Sequence, residues 1–206
     1  MRFLSILCVL LASWSSPAWA TASTPRILVM GDSLSAAYGM PIQQGWVALL
    51  QNQLTQRGYK HTVINGSVSG ETTAGGRSRL GKLLNEHKPA LVVIELGGND
   101  GLRALPLKNM QANLIAMIDQ SKATGAKVLL LEMRIPLNYG ARYANQFQRT
   151  FSDVAKAKSV TLVPFFLADI ATDPKFFLAD GIHPSAEAQP ILLKAVWPAI
   201  EAKLKK

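Results

Sequence analysis

Ile27-Leu28-Val29-Met30-Gly31-Asp32-Ser33-Leu34-Ser35 is the stretch on which the fold turns. Four apolar residues running straight into a glycine describe a strand buried on both faces, as in a parallel sheet. Open α/β sheets hold their chemistry outside the carboxyl ends of such strands. Gly31-Asp32-Ser33 therefore carries a serine hydroxyl to the rim of a sheet. The same letters also suit an ordinary strand-to-helix turn, or a glycine-rich cradle for a phosphate. A base, a residue to orient it and an oxyanion hole elsewhere in the chain would separate these readings.

Outward from Ser33, strand and helix patterns alternate to the end of the chain. Strands are expected at Arg26–Met30, His61–Ile64, Ala90–Leu96, Val128–Leu131 and Val160–Val163. The Ala90–Leu96 run is apolar except for Glu95. Helices are expected over Gln43–Arg57, Thr73–His87, Asn109–Ala123, Tyr143–Lys156 and from about Ser185 to Leu204. The first shows Trp46, Leu49, Leu50 and Leu54 on one face, Pro89 closes off the second, and Gly125 the third. Five strands alternating with helices predict an α/β fold: a parallel sheet in a three-layer α/β/α sandwich, with right-handed crossovers. No linker or repeat divides it, so one domain is expected.

The search for a base is short, because the chain has three histidines. His61 opens a strand and His87 ends a helix; both read as structural. His183 stands in Asp180-Gly181-Ile182-His183-Pro184, between the last strand and the last helix. A carboxylate three residues before an imidazole can accept from Nδ1 and leave Nε2 free as a base. The plainer alternative is that Asp180 braces the loop and His183 leads into a helix started by Pro184. The turns after strands two and three, Asn65-Gly66-Ser67-Val68-Ser69-Gly70 and Gly97-Gly98-Asn99-Asp100, reach the same sheet edge. Acyl transfer needs donors aimed at a developing oxyanion. The backbone N–H groups of Ser33 and Gly70 and the side-chain amide of Asn99 are the candidates.

The first 20 residues stand apart from this pattern. Met1-Arg2, the apolar run Phe3–Ala12 and Ala18-Trp19-Ala20 fit a cleaved signal sequence, with the domain occupying 21–206. The run is too short for a bilayer span, which needs about 20 residues. A periplasmic or secreted protein is expected. Cys8, the only cysteine, falls within that segment, so the chain from Thr21 holds no thiolate nucleophile, disulfide or thiolate metal site. The net charge of +9 becomes +8 once Arg2 is removed. The basic residues are scattered, with no stripe interleaved with aromatics, which argues against nucleic acid.

Taken together, Gly31-Asp32-Ser33-Leu34-Ser35, Asn65–Gly70, Gly97-Gly98-Asn99-Asp100 and Asp180-Gly181-Ile182-His183-Pro184 resemble the GDSL or SGNH hydrolases. The resemblance runs from Ile27 to Trp197. It is closest to the small periplasmic branch with acyl-CoA thioesterase, lysophospholipase and arylesterase activities. Glu95–Leu102, Pro136–Gly140 and Leu162–Phe166 carry that closer likeness, and Arg77 departs from it by placing a charge where the branch is apolar or neutral. The family implies a flavodoxin-like sheet and cleavage of carboxylic esters and thioesters, with Ser33, His183 and Asp180 as catalytic residues. The same resemblance implies an oxyanion hole of Ser33, Gly70 and Asn99, and neither metal nor cofactor is implied. The serine is not in a Gly-x-Ser-x-Gly elbow. Leu102, Leu107, Ile135 and Pro136 are the candidate acyl-chain wall, although ordinary loop packing accounts for them equally well. The expected partner is a small acyl ester or thioester, with transient contact with anionic lipid and a monomeric state. A sugar O-acetyl esterase and a non-catalytic anion binder remain as rivals.

Overall fold

The strand ending at Gly31 is an interior one. A computed structural model describes residues 24–204, and the signal sequence expected at 1–20 lies outside them. In it β1 (Arg26–Gly31) lies between β2 (Thr62–Asn65) and β3 (Leu91–Glu95), followed outward by β4 (Lys127–Leu131) and β5 (Thr161–Val163). All four pairings are parallel. Ile27–Met30 and Leu91–Ile94 are fully buried, as their apolar runs require. Each such side chain contributes about 1.5–3 kcal/mol by leaving water. The edge strands β2 and β5 are shorter and only partly covered.

The order β2-β1-β3-β4-β5 is the flavodoxin-like one, and it reverses direction at β1. Right-handed crossovers then send the helix after β1 to one face and those after β2, β3 and β4 to the other. Accordingly α1 (Trp46–Gln56) packs on α6 (Gln189–Glu201), while α2 (Thr73–His87), α4 (Leu107–Ala123) and α5 (Ala141–Lys158) pack in a row. The three-layer α/β/α expectation holds. The switch point between β1 and β3 opens at their carboxyl ends, where Ser33 and Asn99 follow.

Several helix boundaries differ from the sequence expectation. Helix α1 starts at Trp46 rather than Gln43, because Gly45 is extended (φ −67°, ψ 149°) and Ile42–Gln44 forms a separate 3₁₀ turn. Helix α6 starts at Gln189 after another 3₁₀ turn at Ala186–Ala188 and ends at Glu201. Helices α4 and α5 each begin two residues early, behind Pro106 and Gly140. The segment expected to be a plain turn, Gly97–Asp100, instead enters a five-residue helix, α3 (Gly98–Leu102). Gly97, at φ +117°, makes that abrupt entry, in backbone space that favours glycine.

Candidate active site

Register builds the nucleophile turn. Gly31 pairs with Glu95 across β1 and β3. A Cβ on Gly31 would stand 2.6 Å from Glu95 Oε2 and 2.7 Å from Ser35 Cβ, so no larger residue fits. Glu95 is wholly buried and accepts from Ser35 Oγ at 2.6 Å and from the Asp32 N–H at 3.3 Å. The indole N–H of Trp46 donates to Ser35 Oγ at 3.2 Å, and Asn65 Nδ2 donates to the Ser35 carbonyl at 2.8 Å. The turn holding Ser33 is thereby fastened to β2, β3 and α1. Burial holds the Glu95 carboxyl well above the usual carboxylate range, and the Asp32 charge adds to this.

A second turn meets it from the far end of the chain. Asp180 Oδ1 accepts from the N–H groups of Ile182 (2.9 Å) and His183 (3.0 Å), while Oδ2 lies 2.7 Å from His183 Nδ1. These contacts, led by the His183 N–H, hold the Asp180 carboxyl down to about 2. An ionised acceptor at Nδ1 fixes the tautomer with the proton there. Nε2 is then free to accept from Ser33 Oγ, 3.0 Å away. A bridge between Phe177 and Pro184 and the Leu178 N–H to His183 carbonyl bond (2.7 Å) pin this loop. Sequence spacing could pair Asp180 with His183. Only the fold brings in Ser33, 150 residues away.

The candidate oxyanion donors follow three adjacent strands, on the loops after β1 and β2 and in the first turn of α3 after β3. Among the described residues, the N–H groups of Ser33 and Gly70 donate to no protein acceptor. The Gly66 and Val68 N–H groups bind the Val29 and Gly31 carbonyls, drawing the Gly70 loop alongside β1. Gly70 adopts φ +77°, and Arg103 Nη2 donates to its carbonyl at 3.0 Å. Asn99 Nδ2 donates to Asp32 Oδ2 at 3.0 Å, which leaves its second amide hydrogen available. Asp32 is buried, and its other oxygen accepts from the Leu34 N–H at 3.1 Å. Burial pushes its carboxyl up to about 6, with the Leu34 and Asn99 hydrogen bonds opposing. Asn99→Ala is expected to lower kcat by about 10²–10³-fold. Steady-state kinetics on a soluble ester would measure this, and a change confined to KM would count against the donor role.

Three neighbours of the site were given no role by sequence reasoning. Glu95 registered as a break in an apolar run and as the start of the Glu95–Leu102 likeness, yet an acid inside a doubly covered strand also signals a buried polar network. Tyr38 lies against the His183 ring, with centroids 4.2 Å apart, and is placed there after Ala37 takes φ +58°. The clamp of Arg103 on Gly70 had no local signal. His61 and His87 lie at the opposite end of the sheet, before β2 and at the close of α2. Of the candidate acyl wall, Ile135 is buried in the core, Leu102 and Leu107 are half-buried against it, and Pro136 is exposed. Arg77 lies on α2 and donates to Asn113 at 3.2 Å.

A serine, imidazole and carboxylate in hydrogen-bonded series at the switch point of a parallel sheet mark the class of serine hydrolases on an open α/β fold. The chain belongs to the GDSL-like lipase/acylhydrolase family, whose model matches residues 29–190. It is 51% identical to esterase TesA of Pseudomonas aeruginosa over 89% of this chain and 91% of that protein. It is 40% identical to thioesterase 1/protease 1/lysophospholipase L1 of Escherichia coli K12, over 86% of this chain and 83% of the relative. The psychrotrophic esterase EstA from Pseudoalteromonas sp., in a structure inhibited by monoethylphosphonate, superposes with a TM-score of 0.83 at 41% identity. That match covers 86% of this chain and 97% of EstA. The chain is a hydrolase acting on ester bonds.

Proposed function

We propose that the chain cleaves carboxylic esters and thioesters, lysophospholipids and aryl esters among them, through an acyl-enzyme on Ser33. The line from Asp180 through His183 to Ser33 carries this reading, with contacts of 2.7 and 3.0 Å. Ser33 Oγ attacks the carbonyl carbon as its proton passes to His183 Nε2. The carbonyl oxygen becomes an oxyanion held by the Ser33 and Gly70 N–H groups and the Asn99 amide. Collapse breaks the bond to the alcohol or thiol, which leaves with the proton from His183. Water, deprotonated by His183, then attacks the acyl-enzyme, and the second oxyanion collapses to release the acid and restore Ser33.

Covalent labelling with a fluorophosphonate tests the reading against the anion-binder alternative, because only an activated serine is phosphonylated. The expected adduct is on Ser33, and an unlabelled protein overturns the enzyme reading. The protein is proposed to act as an exported monomer, with 1–20 a cleaved signal and 21–206 the catalytic domain. Among the described residues, no helix is long and apolar enough to cross a membrane.

The acyl chain is proposed to lie along Leu102, Leu107, Ile135 and Pro136. Leu107 is only half-buried, so a polar replacement there is tolerable to the fold. Leu107→Gln is expected to lower kcat/KM about tenfold for long p-nitrophenyl esters, the loss of one buried side chain, and to leave the acetate ester nearly unchanged. A chain-length series measures this, and a uniform loss would assign Leu107 to packing. The sugar O-acetyl esterase alternative has little support, since few aromatic side chains stand near the site and one of them, Tyr38, packs tilted against the His183 ring.

A further inference from the structure

The large apolar side chains that stand exposed among the described residues all lie on loops at one edge of the sheet. Ile42 follows β1, Val68 follows β2, Leu105 follows β3, Leu137 and Tyr139 follow β4, and Ile182 precedes His183. Single exposed apolar residues are ordinary, but their confinement to one edge marks an interaction site. Leu137 is 70% exposed, Ile42 60% and Ile182 51%. Side chains so open project from the surface, whereas the wall of a pocket is covered on its inner side.

Charge on the same edge is lopsided. Arg103 follows α3, and Lys108 and Arg142 stand in the first turns of α4 and α5; none forms an ion pair among the described residues. The nearby acids are occupied: Glu132 faces Arg134 at 2.9 Å, and Asp100 binds Thr73. Glu71 faces Arg79 at 2.6 Å, and Asp169, Asp173, Asp180 and Glu187 all lie on the segment after β5, Asp180 being held by His183 at 2.7 Å. The β3 and β4 loops therefore combine protruding apolar tips with uncompensated cations, the pattern that binds an anionic lipid interface. The occupant is further limited by Ser33 and His183, which open inside this ring. A protein partner seated here would close the site, whereas a lipid surface delivers acyl chains to it.

We propose that this edge docks on an anionic lipid surface, with Ile42, Leu105, Leu137 and Ile182 entering the headgroup region and Arg103, Lys108 and Arg142 meeting lipid phosphates. The proposal builds on the acyl-hydrolase reading, because docking presents the lipid's own ester to Ser33.

The test uses protein purified as the cell exports it and carrying Ser33→Ala, so that nothing is hydrolysed during binding. Sedimentation with vesicles of mixed phosphatidylcholine and phosphatidylglycerol should capture it. Phosphatidylcholine alone should capture less, and added salt should release it. The double variant Ile42→Ser/Leu137→Ser should lower partitioning by about tenfold or more, from the lost apolar burial. With Ser33 intact, that double variant should hydrolyse soluble p-nitrophenyl acetate as the parent does, yet turn over vesicle-borne lysophospholipid more slowly. Parent protein left in the supernatant, or partitioning unchanged in the double variant, overturns the proposal. So does sedimentation velocity revealing a parent dimer that the double variant dissolves, which would assign the patch to a second copy. Failure of the acyl-hydrolase reading would appear separately, as parent protein inactive on p-nitrophenyl acetate.

Discussion

Ser33→Ala is expected to reduce kcat on a p-nitrophenyl ester by about 10⁶-fold, with folding and substrate binding retained. The removed atom is the only nucleophile in the series: His183 Nε2 lies 3.0 Å from Ser33 Oγ and would be left with only water to activate. The oxyanion donors survive the change, so a residual rate above that in water should persist. The other ties of the turn run through Asp32, Ser35 and Gly31, none of which the substitution alters. Urea unfolding should therefore overlay that of the parent. Turnover near the parental value, or phosphonate labelling that persists on another residue, would remove Ser33 from its assigned role.

Asp180→Asn should cost about 10⁴-fold in kcat, by a different route. An asparagine can still accept from the Ile182 and His183 N–H groups through its oxygen. Its NH₂ then faces His183 Nδ1, which must become the acceptor, and the ring proton moves to Nε2. A protonated Nε2 cannot take the serine proton. The parent's carboxyl, held down to about 2 from an ordinary 3.8, adds a pH signature. A depressed carboxylate stabilises the fold above its unfolded value, and that contribution disappears as pH falls through the folded one. The parent should therefore be more stable than Asp180→Asn above about pH 4, and the two should converge near the folded value. Urea midpoints across that window measure this, and a constant gap would deny the carboxylate its part.

Much of the architecture was legible because its signals are local. Ile27–Met30 and Leu91–Ile94 announce buried strands by composition alone, and alternation with amphipathic helices gives the parallel sheet. Asp180 and His183 are three residues apart, so one turn suffices to pair them. The geometry that joins Ser33 to His183, or Asp32 to Asn99, belongs to strand order and cannot be seen in a window of any length. Helix α3 was missed because two consecutive glycines suggest a turn, whereas Gly97 supplies an entry angle and Gly98 begins the helix. Glu95 was passed over because its meaning lies in register: it pairs with Gly31, and that pairing becomes visible only when β1 and β3 lie side by side.

That pairing has a consequence for how such chains are compared and redesigned. The glycine that opens the serine turn has φ within the ordinary range, so no left-handed backbone demands it. Instead it answers to a carboxyl oxygen 2.6 Å from where its Cβ would stand. Five consecutive letters are thus the visible part of a six-member device whose last member waits 60 positions downstream of Ser35. Grafting the pentapeptide onto another parallel sheet should transplant a turn but leave its serine loosely held, unless an acid is installed at the matching rung of the adjacent strand. Conversely, chains that replace the glycine should be searched for a shortened residue at that rung.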